Sequence, residues 1–246
     1  MAVKKSFWKI VNDVLEKADI ILLVGDARAP DRSFNIEVIH KAQRLGKRVI
    51  KVLNKVDLLD RKQQAELRRK YPGIMVISAT EHLSTMRLLR LINMAAKNKK
   101  AVVGVLGYPN TGKSSVINAI KGRASTSVSP IAGHTKGKQL IRVTKNIMLM
   151  DTPGVIPYQE KDELLHVLIA AKSPEQLRDV EDTAMDLIKF AEGRIEKFYG
   201  VEALEDIDET LDSIAVKIGM LKKGGKPDSK AAARRIIRDW QKGKLK

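Results

Sequence analysis

The sequence predicts an α/β domain, a mostly parallel sheet flanked by helices, followed by an all-helical C-terminal domain. Three observations predict it. Through residue 157, short apolar runs alternate with amphipathic stretches, the pattern of strands joined by crossover helices. One of those junctions carries Gly107-Tyr-Pro-Asn-Thr-Gly112-Lys113-Ser114, a glycine-bearing turn that opens a helix. Beyond Pro157 the strand signal stops and only helical spacing continues.

Taken in order, Ile20–Gly25, Val49–Leu53, Ile74–Ile77 and Val102–Leu106 are continuous apolar runs, as expected of strands covered on both faces. Gln139–Thr144 and Ile147–Met150 predict a hairpin turning at Lys145-Asn146. Asn35–Leu45, Arg61–Tyr71 and Ser84–Lys97 have helical spacing, and Lys113–Ile120 follows the glycine-bearing turn. Glu160–Ala171, Pro174–Glu192 and Asp208–Met220 predict helices in the second part. A loop at Lys222–Pro227 then leads to a last helix from Lys230, with Ser229 placed to cap it. The expected domains are residues 1–157 and 158–246.

Charge is unevenly shared along the 246 residues, whose formal net charge is +17. Residues 1–157 hold 29 basic and 11 acidic side chains, residues 158–216 hold 6 and 16, and residues 217–246 hold 11 and 2. An acidic block between two basic ones points to a polyanionic partner such as RNA, although a plain solvated surface has the same composition. Cysteine is absent, which excludes disulfides, thiol catalysis and cysteine-ligated metals and suits a reducing compartment. The four histidines are too far apart for a helical zinc site. No apolar run is long enough to span a bilayer, and Met1–Ser6 is not followed by a leader-like segment, so a cytoplasmic protein without a membrane partner is expected.

The glycine-bearing turn matches the phosphate-binding loop, in which backbone N–H groups and a helix N-terminus surround phosphate oxygens. In that reading residues Asn110, Thr111, Gly112, Lys113, Ser114 and Ser115 line the phosphates. Lys113 bridges the β- and γ-phosphates, and the Ser114 hydroxyl binds Mg²⁺. Asp151-Thr-Pro-Gly154 ends the last strand, where Asp151 would hold the Mg²⁺ shell through water and the Gly154 N–H would face the γ-phosphate.

Asn54-Lys55-Val56-Asp57 closes another strand, and Ser78-Ala79-Thr80 follows the next. The Asp57 carboxylate can accept two hydrogen bonds from guanine N1–H and its exocyclic amine, a pair adenine does not offer. Asn54 would tie this loop to the phosphate loop, the Lys55 stem would cover the base, and the Ala79 N–H could donate to guanine O6. Each motif alone is a common turn. Together they specify guanine-nucleotide chemistry.

Their order is unusual: NKVD and SAT precede the phosphate loop, and DTPG comes last. The chain therefore resembles the circularly permuted Ras-like GTPases, specifically the YlqF/YawG family of large-subunit ribosome assembly. The resemblance includes Asp26-Ala-Arg28-Ala-Pro30, similar to the family's DARxP element, and Lys222-Lys-Gly-Gly-Lys-Pro-Asp228 with the Ala-Ala-Arg-Arg region after it. It implies a permuted P-loop GTPase domain, Mg²⁺ as cofactor, GTP and GDP as ligands, and rRNA and precursor particles of the large subunit as partners of a monomer. Gly133-His134-Thr135-Lys136 then looks like switch I, with Thr135 as second Mg²⁺ ligand and γ-phosphate sensor, or simply a loop threonine. His134 is either a solvent-facing loop residue or a group that approaches the γ-phosphate. Asn110 stands where potassium-stimulated GTPases resemble one another, and it either helps to hold K⁺ or steadies the loop locally.

Val155 replaces the glutamine that orients water in Ras and Gα, and no histidine precedes His40 to match the N-terminal one of bacterial relatives. The resemblance therefore implies slow turnover without a ribosomal activator. A nucleotide-gated RNA-binding module with negligible turnover remains the alternative; NKVD argues against a nucleotide kinase. In the last helix, Lys230, Arg234, Arg238 and Lys242 recur every four residues opposite Ala232, Ile236 and Trp240, so the expected RNA contact is a basic ridge.

Overall fold

In a computed structural model, residues 2–124, 139–152, 154 and 161–245 are described. They fall into two compact units, residues 1–160 and 161–246. The first contains α1 (Ala2–Lys17), β1 (Ile20–Asp26), α2 (Ile36–Arg44), β2 (Arg48–Asn54), α3 (Arg61–Lys70), β3 (Met75–Val76), α4 (Thr85–Ala95), β4 (Ala101–Leu106), α5 (Lys113–Ala124), β5 (Gln139–Arg142) and β6 (Ile147–Asp151). Its six described strands form one sheet in the order β3-β2-β1-β4-β6-β5, parallel except for the antiparallel β5–β6 hairpin.

Strand β1 is buried along its whole length, which is why it reads as an unbroken apolar run. Its alternate residues serve two cores. Ile20, Leu22 and Val24 pack with α4 and α5 residues such as Leu88, Ile92, Val116 and Ile120. Ile21 and Leu23 pack with Phe7, Val11, Val14 and Leu15 of α1 and with Val38 and Ile39 of α2. Helix α1 is an element beyond those expected: its apolar side chains Phe7, Val11, Val14 and Leu15 recur at the three- and four-residue spacing that buries one face. Asn35 caps α2, and Asp60 with Gln63 forms a capping box on α3.

Two strand boundaries shift. The expected strand Ile74–Ile77 keeps a ladder only at Met75–Val76, and the strand expected over Gln139–Thr144 ends at Arg142, with the Val143 and Thr144 N–H groups still donating to the Ile147 carbonyl. Asn146 and Ile147 both direct backbone N–H groups at the Thr144 hydroxyl, which makes 144–146 the turn.

The described elements of the second unit are helices, α6 (Glu163–Leu168), α7 (Val180–Ala191), α8 (Arg194–Tyr199), α9 (Ile207–Lys217) and α10 (Ser229–Gln241), with one isolated antiparallel bridge between Leu221 and Pro227. The single helix expected over Pro174–Glu192 is broken, because Asp179 caps a new start and Pro174–Gln176 makes only a 3-10 turn. Asp228, and not Ser229, caps α10: its carboxylate accepts from the Ala231 N–H at 3.0 Å. The Ser229 hydroxyl instead bonds Asp212. Helix α10 packs on α7 and α9 and buries Ala232, Ile236, Ile237 and Trp240. No helix among the described residues is long and apolar enough to cross a membrane.

Candidate nucleotide-binding site

Strand order reverses between β1 and β4, and in open α/β sheets the carboxyl ends at such a switch point form the ligand crevice. Asp26 ends β1, Asn54 ends β2, Asp151 ends β6, and the phosphate-loop sequence leaves β4. The motifs therefore converge although they are scattered along the chain.

Asn54 is the joint. Its side chain is buried; Nδ2 donates to the Thr111 carbonyl at 3.1 Å and Oδ1 accepts from the Ala79 N–H at 3.0 Å. One amide thus ties the NKVD, SAT and phosphate-loop segments. Gly112 makes this possible: its φ is +89°, and a Cβ there would lie 2.3 Å from Asn54 Nδ2. Lys55 takes a left-handed backbone conformation, and its Nζ donates to Asp26 Oδ2 at 2.9 Å. The ammonium end of the residue expected to cover the base is thus engaged below the loop, by a partner that residue spacing did not suggest. Asp57 follows in a 3-10 turn, and its Oδ1 is buried without a hydrogen-bond donor. That is the acceptor a guanine N–H edge would fill.

In the phosphate loop, Thr111 Oγ1 and Lys113 Nζ both donate to the Tyr108 carbonyl, at 3.0 and 2.7 Å. Asn110 adopts φ +58°. Burial drives the Lys113 ammonium down to about 8, against the opposing pull of Asp151. A phosphate beside it would restore the charge. Gly154 closes over the loop: a Cβ there would lie 2.6 Å from Pro109 Cα and 2.7 Å from Lys113 Nζ, so only glycine fits.

For Mg²⁺, the Ser114 hydroxyl lies 3.3 Å from Asp151 Oδ2, while Asp151 Oδ1 is buried with no donor. One hydroxyl and one carboxylate suit a small hard cation that keeps several waters and takes its remaining ligands from phosphate. The residues fit the ion.

Ser78 is buried and its hydroxyl accepts from the Glu81 N–H at 3.0 Å, so it shapes the SAT turn; Thr80 and Ser115 are exposed. Thr135, His134 and Val155 lie outside the described residues. Asp26 and Arg28 are the residues that motif reasoning left without a role. Burial alone would raise the Asp26 carboxyl, but Arg28 and Lys55 together hold it below its ordinary value.

The expected basic ridge of α10 is only partly open. Lys230 and Lys242 are exposed, Arg234 is half-buried, and Arg238 forms an ion pair with Glu175.

Comparison with known proteins gives concordant matches. A family profile described as RsgA GTPase matches residues 10–160, and one described as 50S ribosome-binding GTPase matches residues 102–221. A GTP-binding protein of Methanocaldococcus jannaschii is 38% identical over 245 residues, covering 96% of this chain and 65% of its own. Nucleolar GTP-binding protein 2 of Saccharomyces cerevisiae is 31% identical over 254 residues, covering 98% of this chain and 52% of its own. The chain spans less than two thirds of the length of these curated relatives. Among solved structures, GDP-bound YlqF of T. maritima aligns with TM-score 0.63 and 25% identity over 95% of this chain and 94% of that one. Its GNP-bound form aligns with TM-score 0.65 and 24% identity over 97% and 94%, a likeness of fold.

Proposed function

The chain belongs to the circularly permuted GTPases of the YlqF/YawG kind, a family of GTP-binding ribosome-biogenesis proteins, and on that premise we propose that it hydrolyses GTP while assisting assembly of the large ribosomal subunit. The observation that carries the nucleotide reading is the Asn54 joint, together with two buried acceptors that have no donor, Asp57 Oδ1 after the NKVD turn and Asp151 Oδ1 at the end of β6. A buried carboxylate oxygen without a donor costs about 1–3 kcal/mol, which a bound partner recovers.

In this reading Asp57 accepts from guanine N1–H and the exocyclic amine, and the Ala79 N–H side of the SAT turn faces O6. Lys113 leaves the Tyr108 carbonyl for the β- and γ-phosphate oxygens. Ser114 and Asp151, with Thr135 by resemblance, hold Mg²⁺, which when bound neutralises phosphate charge. The Gly154 N–H orients the γ-phosphate, from a backbone that packs too closely on Pro109 and Lys113 to carry any side chain. Valine at 155 cannot orient water, so a ribosomal partner supplies or positions that group and turnover is slow without it. The second reading, a nucleotide-gated RNA binder, is favoured by the same Val155.

Steady-state GTPase assays with and without purified large subunits separate the two: stimulation supports the first, and persistent absence of turnover the second. Exchanging K⁺ for Na⁺ at matched ionic strength is expected to slow hydrolysis, with the difference lost in Asn110→Ala. Equal rates in both salts leave Asn110 with its loop role alone.

A further inference from the structure

Asp26 closes β1 directly beside Asn54, its Cα partner at the end of β2. Its side chain is 1% exposed. Oδ1 accepts from the backbone N–H and Nε of Arg28, at 3.0 and 3.1 Å. Oδ2 accepts from Arg28 Nη2 and from Lys55 Nζ, both at 2.9 Å. The Arg28 side chain is buried as completely as the carboxylate, whereas that of Lys55 is 23% exposed.

Arg28 alone neutralises Asp26, and its fork grips both oxygens, so the carboxylate cannot rotate. A second cation is not needed to balance the buried charge. What it fixes is the loop. Lys55 stands between Asn54 and Asp57 with φ +66°, a conformation that residues with side chains seldom adopt. Tethering its ammonium to a rigid acceptor on the neighbouring strand holds that turn, and the turn sets where Asp57 points.

We propose that Asp26 and Arg28 form a positioning device for base recognition: they anchor Lys55 from below, lock the left-handed turn after Asn54, and so present the Asp57 carboxylate to guanine. The inference rests on the guanine reading above. It gives the DAR segment a role in choosing the base and none in gripping the phosphates.

The test is calorimetric binding of GDP and of inorganic tripolyphosphate, both with Mg²⁺, to the full chain, Asp26→Asn, Lys55→Met and the double variant, with folding checked by circular dichroism. Each single change is expected to weaken GDP roughly 10- to 100-fold, the value of one charged hydrogen bond. Tripolyphosphate, which has no base, should bind each variant as it binds the parent. The double variant should be no weaker than the worse single one to within about twofold, because either change removes the same tether. Equal losses for both ligands, additive losses, or unchanged GDP affinity overturn the proposal. If Asp26→Asn does not fold, Lys55→Met against Lys55→Arg decides: a selective GDP loss in the first, restored in the second, supports the tether, and retained GDP affinity in Lys55→Met overturns it. A parent chain that holds tripolyphosphate but not GDP defeats the guanine reading and this inference together. A parent that binds GDP beside an indifferent Asp26→Asn defeats this inference alone.

Discussion

The strand tips of the first unit and the outer face of α10 both gather polar side chains, but they settle them in opposite ways. At the tips, Asn54 satisfies two backbone groups from separate loops, and Asp57 Oδ1 and Asp151 Oδ1 remain buried without donors. On α10 two cations are paired within the chain: Arg235 shares Asp239 with Lys244 beyond the helix end, and Arg238 holds Glu175. Undersupplied acceptors beside the carboxyl ends of the strands suit a ligand that brings N–H donors or a cation. Cations paired to the protein's own carboxylates mark surface that is already spoken for. The kind of unfilled capacity separates the two regions: acceptors at the strand tips, and on α10 a donor, the buried Arg234 Nε.

The largest effect that sharpens this contrast is expected from Asn54→Ala. It leaves the Thr111 carbonyl and Ala79 N–H unpaired in the interior and should cost about 2–4 kcal/mol of stability. Urea unfolding followed by circular dichroism checks it; a loss within error would mean that the three loops are held without the joint.

Next comes proton linkage at Lys113. Its ammonium is depressed to about 8 by burial, and bound phosphate restores it toward the ordinary lysine range. Nucleotide binding should then take up close to one proton at pH 9 and little below pH 7, so affinity falls as pH rises above 8, by at most about tenfold per pH unit. Calorimetry in buffers of different ionisation enthalpy reads the uptake directly. The same depressed value means that the free protein gains stability from this group as pH climbs from about 8 toward 10.5, the opposite direction.

The smallest effects belong to α10. Lys230→Glu and Lys242→Glu should each weaken binding to an rRNA fragment and lower the salt slope by about one unit. Arg238→Ala should do less and should leave the melting temperature unchanged, since both members of its ion pair are about half exposed. If Arg238 outweighs the two lysines in the salt slope, its pairing with Glu175 gives way to RNA and the contrast between the regions narrows.

Much of this was legible in the sequence for a physical reason. Strands covered on both faces must be continuously apolar, and β1 and β4 announce themselves in that way. The phosphate loop was legible because few residue types can surround phosphate at that spacing. Helix α1 is less legible because its apolar side chains, from Phe7 to Ala18, are interleaved with charged ones. The break in Pro174–Glu192 escaped because the Asp179 cap lies inside a stretch that keeps helical spacing on both sides. The contact of Lys55 with Asp26 was not legible at all: it spans 29 residues and depends on the parallel register that sets Asp26 against Asn54. The α10 ridge shows the converse limit, since periodicity reveals which residues share a face and says nothing of Glu175 waiting beside it.

The most direct test exchanges the base at Asp57. Guanine presents an amine at C2, where xanthine presents a carbonyl, and Asp57→Asn exchanges one acceptor for a donor. Affinities for GDP, XDP and ADP should be measured in the parent and in Asp57→Asn at one salt concentration. The expected result is a parent that prefers GDP strongly over both others, and a variant that loses about 2–4 kcal/mol for GDP and gains XDP. A parent that binds ADP as well as GDP, or a variant whose order of preference is unchanged, would contradict the assignment of guanine recognition to the loop that Asn54 holds in place.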